Sequence, residues 1–169
     1  MDLSDLMQST LKEFNEKIDK EKMWDGRFLD IAKQVGTWSS CIREGRQVGA
    51  VITKGHRIMT TGYNGAPSGV MSCRDRKECL RESKNIPSGS NLEVCYAIHA
   101  EQNAIVQAAK LGVSVEGGTL YCTHKPCSLC TKLIINSGIK RVVYDKDYPD
   151  EFTLKLFKES GVEIEKYDD

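Results

Sequence analysis

Apolar and polar positions follow two periods along this chain, and the switches between them divide it into elements. Leu3, Leu6, Met7, Leu11, Phe14 and Ile18 recur at helical spacing among polar residues. They predict an N-terminal amphipathic helix that covers a core or a neighbouring subunit. A second helix is predicted from about Asp25, burying Phe28, Leu29, Ala32 and Val35 and ending near Gly36. Gln47–Thr53 holds the run Val48-Gly49-Ala50-Val51-Ile52 and reads as a buried strand. Lys54-Gly55-His56 is a turn, and Arg57–Thr61 starts the returning strand of a hairpin. The next stretch, Gly62-Tyr63-Asn64-Gly65-Ala66-Pro67-Ser68-Gly69, is too rich in Gly and Pro to continue as strand. An irregular region then runs to about Ile98, a length that in compact domains is usually functional or tied down.

Beyond it the periods alternate regularly. His99–Leu111 predicts a helix with Ala104, Ile105, Ala108 and Leu111 inward and Gly112 as its stop. Gly118–Thr123 predicts a short strand, Cys127–Ser137 a helix behind Pro126, and Lys140–Tyr144 a strand. Glu151–Ser160 predicts a helix ended by Gly161, and Val162–Lys166 a final strand. The order α-α-β-β-loop-α-β-α-β-α-β makes this an α/β chain, with a mixed sheet between helices. One domain over residues 1–169 is expected, with residues 1–22 as a helical extension.

Composition narrows the classes. Hydrophobic residues make up 40% and charged residues 28%, as in a soluble globular protein. Lys+Arg and Asp+Glu both total 24, so no global field draws the chain to a polynucleotide. No apolar run is long enough to span a membrane, and charges interrupt Met1–Asp19, unlike the apolar core of a signal peptide. The expectation is a cytoplasmic protein with neither a nucleic-acid nor a membrane partner. Seven cysteines, an odd number, point in a reducing compartment to metal ligands rather than a disulfide framework.

Two short segments carry the chemistry. His99-Ala100-Glu101 sets a histidine two residues before a glutamate, and Pro126-Cys127-Ser128-Leu129-Cys130 sets two thiols in a Cys-x-x-Cys step. Together they match H-x-E with P-C-x-x-C, a known signature of zinc nucleobase deaminases. Zinc takes neutral imidazole and thiolate ligands, and a catalytic zinc keeps one position for water. His99, Cys127 and Cys130 would supply three ligands, all near predicted helix starts, where the helix dipole favours thiolate. Glu101 is then the catalytic acid–base group, taking a proton from the activated water and passing it to a leaving amine. Either segment alone would equally suit a closed structural zinc site or an ordinary buried histidine.

With these residues the sequence resembles the cytidine deaminase superfamily, and within it the deoxycytidylate (dCMP) deaminases. Gly62-Tyr63-Asn64-Gly65-Ala66-Pro67, His99–Ile105, and Thr119-Leu120-Tyr121-Cys122-Thr123 leading into Pro126–Cys130 carry the likeness, and Ile139–Tyr144 fits it. It covers Phe28 to Ile164. The resemblance implies the cytidine deaminase-like fold, a three-layer α/β/α sandwich on a mixed, mainly five-stranded sheet. It implies hydrolysis of dCMP to dUMP and ammonia, on the route to thymidylate. It also implies a homohexamer activated by dCTP and inhibited by dTTP with Mg2+. By position, Asn64 and Tyr148 would contact the substrate nucleotide. The regulatory site is associated with Gly62, Tyr63 and Gly65. Arg43, Arg46 and Lys110 are further candidates to meet an effector's phosphates.

Some relatives carry a second zinc. Here Cys41, Cys73, Cys79 and Cys95 remain after the catalytic pair, three of them in the long irregular region, and would suit a structural zinc. His56 or Glu93 could replace one thiol, and four reduced free cysteines is the alternative. Cys122 is left inside a strand. Two other functions stay open at this point: a zinc deaminase acting on another cytosine nucleotide or nucleoside, and a non-catalytic nucleotide-sensing zinc protein.

Overall fold

The computed structural model describes residues 3–168. It runs α1 (Leu3–Gly36), β1 (Gly49–Lys54), β2 (Arg57–Tyr63), α2 (Cys73–Arg76), α3 (Leu80–Ser83), a 3-10 turn (Leu92–Val94) and α4 (Ala100–Leu111). There follow β3 (Thr119–His124), α5 (Ser128–Asn136), β4 (Arg141–Lys146), α6 (Glu151–Ser160) and β5 (Glu163–Lys166). The five strands form one sheet in the order β2-β1-β3-β4-β5. β1 is antiparallel to β2 and β3, whereas β3, β4 and β5 are mutually parallel, as expected when helices connect them.

Strand alternation builds two cores. Val51, Tyr121 and Val143 point to one face and pack on Phe28, Leu29, Ala32 and Val35 of α1. Their neighbours Ala50, Ile52, Leu120, Cys122 and Val142 point to the other face. There they meet Ala104 and Ala108 of α4, Ile134 of α5 and Phe157 of α6. Helices thus cover both faces of a mixed five-stranded sheet, the expected α/β/α arrangement.

The N-terminus departs from the sequence reading. The two predicted helices are one continuous helix of 34 residues. Gly26 lies within it at the point where Tyr167 crosses: a Cβ on Gly26 would stand 2.6 Å from the Tyr167 hydroxyl. Asp25 is buried, and its carboxylate takes both ends of the Arg141 guanidinium at 2.7 Å and the Tyr121 hydroxyl at 2.8 Å. These bonds fasten α1 to β3 and β4 at the point where the sequence suggests a gap. Leu6, Met7, Leu11, Phe14 and Ile18, on the first half of α1, are exposed, so in one chain they cover no core. The side chain of Leu3 lies outside the described residues.

β2 runs two residues past its predicted end, to Tyr63, and the irregular region contains three short helical turns. Gly65 and Ile98 join the two ends of that region by paired backbone hydrogen bonds of 3.2 and 2.9 Å.

Candidate active site

The parallel strands deliver their carboxyl ends to one edge of the sheet, where open α/β sheets place ligands. His99 is the N-cap of α4, held by the Gln102 side chain, whose Oε1 accepts from the His99 backbone N at 3.0 Å. Cys127 is the N-cap of α5, and Cys130 follows within its first turn. Several bonds fix that turn. Thr131 Oγ1 donates to the Cys127 carbonyl and Thr153 Oγ1 to the Pro126 carbonyl, both at 3.0 Å. Asp150 accepts from Ser128 N, opening α5, and from Thr153 N, in the first turn of α6. One carboxylate therefore ties the two helix starts together.

The three predicted ligands converge. His99 Nδ1 lies 3.2 Å from Cys130 Sγ and 3.5 Å from Cys127 Sγ, and all three ligand atoms fall within 4.8 Å of one another. Zinc bonds of about 2.05 Å to nitrogen and 2.3 Å to sulfur at a tetrahedral angle separate N and S by roughly 3.5 Å. The residues present therefore fit zinc in spacing and in donor type. The thiol of Cys127 is held down to about 4 by its hydrogen bonds with Cys130 and His99. Cys130 is pushed well up by that shared bond and by burial. His99 is raised, because its bond to Cys127 outweighs burial.

Glu101 is buried beside this group, 4% exposed. Burial raises its carboxyl above the ordinary range, with the His99 charge opposing. A carboxyl so placed accepts and returns a proton more readily near neutral pH than a solvated one.

One pocket brings most of the predicted residues together. His99, Glu101, Cys127, Asn64, Tyr148, Arg43 and Arg46 line it, and so do Cys41, Cys73, Cys79 and Cys95. The Asn64 amide is bonded at both ends to backbone: its Oδ1 accepts from Val48 N and its Nδ2 donates to the Arg46 carbonyl, both at 2.8 Å. It thus fixes the segment bearing Arg46 and retains one N–H and one lone pair for a ligand. Arg43 lines the pocket while paired with Glu82 at 3.1 Å. Burial raises the thiols of Cys41 and Cys73, and the neighbouring Cys79 and Cys95 raise them further. Among the described residues they form no group as tight as His99, Cys127 and Cys130.

Other candidates lie elsewhere. His56 occupies the β1–β2 turn, stacked on Trp24 at 4.9 Å, at the opposite end of the sheet from the cysteines. It is thereby removed from their ligand set. Lys110 is in the last turn of α4, about 15 Å along the helix from the pocket. Gly62 does not face a ligand: it seats α4, since a Cβ there would overlap the Ala100 carbonyl and the Ala104 backbone N. Tyr63 packs edge-on against Trp38 at 6.2 Å, and its carbonyl accepts from Asn103 Nδ2. Sequence reasoning missed Arg81, His124 and Lys125, which also line the pocket. Lys125 and His124 adjoin the Pro-Cys motif, a signal that was available, whereas Arg81 has no motif to announce it.

Comparison with known proteins places this geometry. Residues 22–146 match the family model described as the cytidine and deoxycytidylate deaminase zinc-binding region. The deoxycytidylate deaminase of Schizosaccharomyces pombe is 36% identical over 145 residues, 85% of this chain and 44% of that protein. The deoxycytidylate deaminase of Saccharomyces cerevisiae is 35% identical, over 88% of this chain and 49% of that protein. The chain therefore spans about half the length of these two relatives. The deoxycytidylate deaminase of Mycobacterium phage D29 is 41% identical over 73% of this chain and 95% of that protein. Among solved structures, the dCMP deaminase of cyanophage S-TIM5 in complex with dCMP and dUMP superposes with a TM-score of 0.69 at 32% identity. That match covers 83% of this chain and 94% of that one.

Proposed function

The chain belongs to the cytidine and deoxycytidylate deaminase family, and on that footing we propose that it hydrolyses dCMP to dUMP and ammonia. The observation that carries the reading is a buried carboxylate, Glu101, beside a His-Cys-Cys group of metal-ligand spacing, at the floor of a pocket lined by cations. Relatives named deoxycytidylate deaminase, and a structural neighbour that binds dCMP and dUMP, support that substrate over other cytosine compounds.

His99, Cys127 and Cys130 hold the metal in this reading. A zinc ion there supplies a water ligand with its pKa lowered toward neutrality. Glu101 takes the proton released as oxygen attacks C4 of the cytosine ring and delivers it to N3. The same carboxyl then takes the proton of the new C4 hydroxyl and passes it to the amine as the C4–N bond breaks and the C4 carbonyl forms, so that water and dCMP leave as dUMP and ammonia. The raised proton affinity of Glu101 suits a group that must both accept and donate. Asn64 and Tyr148 contact the nucleotide.

A second, structural zinc held by Cys41, Cys73, Cys79 and Cys95 belongs to the same proposal. It is supported by the four thiols lining one pocket. Activation by dCTP and inhibition by dTTP with Mg2+ follow from the family likeness, as does a homohexamer. The exposed apolar row on α1 gives subunits a surface to share. No described helix is long and apolar enough to cross a membrane. The many free thiols suit a reducing, cytoplasmic setting.

The test is ammonia release from zinc-loaded protein given dCMP, CMP, deoxycytidine or dCTP, with and without dCTP as effector. Turnover of dCMP is the expected result. Turnover of another compound alone would move the specificity, and turnover of none would remove the enzymatic reading.

A further inference from the structure

Arg81 is a buried cation without an anion. Its residue is 6% exposed, yet it lines the pocket. Its guanidinium donates only to neutral groups: Nη1 to the Asn91 carbonyl at 2.6 Å, and Nη2 to the Pro87 and Ser90 carbonyls at 2.7 and 2.5 Å. No carboxylate of the described residues pairs with it, in contrast to Arg43 with Glu82 and Arg141 with Asp25. Carbonyl dipoles orient a guanidinium but leave its charge uncompensated, and an uncompensated charge out of water is costly. The fork also has donors in reserve, since three of its five N–H groups are used and Nε is unspent.

The surroundings show where the missing anion belongs. Arg81 lines the same pocket as the metal-ligand residues His99 and Cys127 and as Tyr148. Arg46, His124 and Lys125 line it as well. Glu101 is the one carboxylate among the residues lining this pocket. The three carbonyls that Arg81 holds belong to the 87–91 segment, whose Ser88 and Gly89 form pocket wall. Gly89 faces the Tyr148 hydroxyl, from which a Cβ would be 3.7 Å away.

We propose that Arg81 recognises the phosphate of the substrate, its guanidinium being fixed for that role by the carbonyls of the 87–91 segment of pocket wall. This rests on the reading of the pocket as a nucleotide site. The phosphate supplies the absent counter-ion, so a nucleoside monophosphate is selected over a nucleoside. A nucleoside leaves the guanidinium buried and uncompensated, as in the free protein.

The experiment is equilibrium binding of dUMP and of deoxyuridine by calorimetry to the wild type, Arg81→Lys, Arg81→Gln and Ser88→Asp. Wild-type protein should prefer dUMP, and Arg81→Gln should lose about 30-fold or more of dUMP affinity while deoxyuridine changes less than about threefold. Arg81→Lys, a charge without the fork, should fall between. Ser88→Asp, an exposed site that leaves the clamp intact, places a carboxylate on the wall and should weaken dUMP selectively, so the test survives if Arg81→Gln does not fold. Equal losses for both ligands in the Arg81 variants would reduce Arg81 to a loop clamp and overturn the proposal, as would unchanged dUMP affinity. Because binding is read without turnover, its result is separate from that of the dCMP assay.

Discussion

Gly62 of β2 and Ala100 of α4 are in backbone contact, so close that a Cβ on Gly62 would overlap the Ala100 carbonyl. His99 precedes Ala100, and the strand therefore sets the height at which the metal-binding histidine sits. The first glycine of the Gly62-Tyr63-Asn64-Gly65 stretch packs here against α4. Gly62→Ala should cost about 1–3 kcal/mol of stability by overpacking and lower zinc retention with it. Thermal melts and metal content of the purified variant measure both.

Glu101→Gln keeps the shape of the side chain and removes its proton transfer. Zinc content should stay at the wild-type ratio while ammonia release falls by about 10²–10⁴-fold or more. Loss of zinc instead would make Glu101 a ligand.

The two sets of thiols should separate by metal analysis. Wild-type protein is expected to hold two zinc ions per chain. Cys130→Ser should lower the ratio to one and abolish turnover. Cys79→Ser should also lower it to one, but with turnover reduced in step with protein stability. A wild-type ratio of one would remove the structural site.

Asp25 carries two bonds to Arg141 and one from Tyr121 in a nearly dry setting, its side chain 4% exposed. Asp25→Ala strands that guanidinium, although Glu21 and Glu165 still reach it at 3.8 and 2.8 Å. A loss of about 3 kcal/mol is expected in urea denaturation. Arg141→Met added to Asp25→Ala should cost less than the sum of the two single changes, because it removes the stranded charge.

Burial, and then the charges of Lys146 and Arg46, hold His124 below the usual histidine value. The unfolded chain then binds this proton at a higher pH than the folded one, and stability rises with pH across the gap. Stability should therefore be complete above about pH 6.5, the value of an unperturbed histidine, and should decline as the pH falls below it. His124→Asn should flatten that part of the curve, and an NMR titration should place the His124 midpoint below about 6.5, the value of an unperturbed histidine.

Much of this was legible along the chain. The apolar run Val48–Ile52 foretells a buried strand, and the His99 and Cys127 segments foretell the metal group, because both signals are local. What local signals miss is set by distant partners. A second helix start is expected near Asp25, but α1 runs through it, and Tyr167, 141 residues after Gly26, crosses the helix there. Asp25, expected near a helix start, is instead buried inside α1 against Arg141. Arg81 reads as one more charge in an irregular stretch, and its burial depends on the folded path of the 87–91 segment. The exposed row on α1 shows the reverse case: the pattern is real, and one chain gives it nothing to cover.

The antiparallel seam between β1 and β3 sets an order of assembly during synthesis. Val51 waits for Tyr121, about seventy residues later, an interval of several seconds at roughly 5–20 residues per second. Throughout it the β1–β2 hairpin stands with an apolar edge unpaired, able at most to lean on α1. The nascent chain is thus most open to aggregation just before β3 emerges, and its yield in a cell depends on what shields that edge meanwhile.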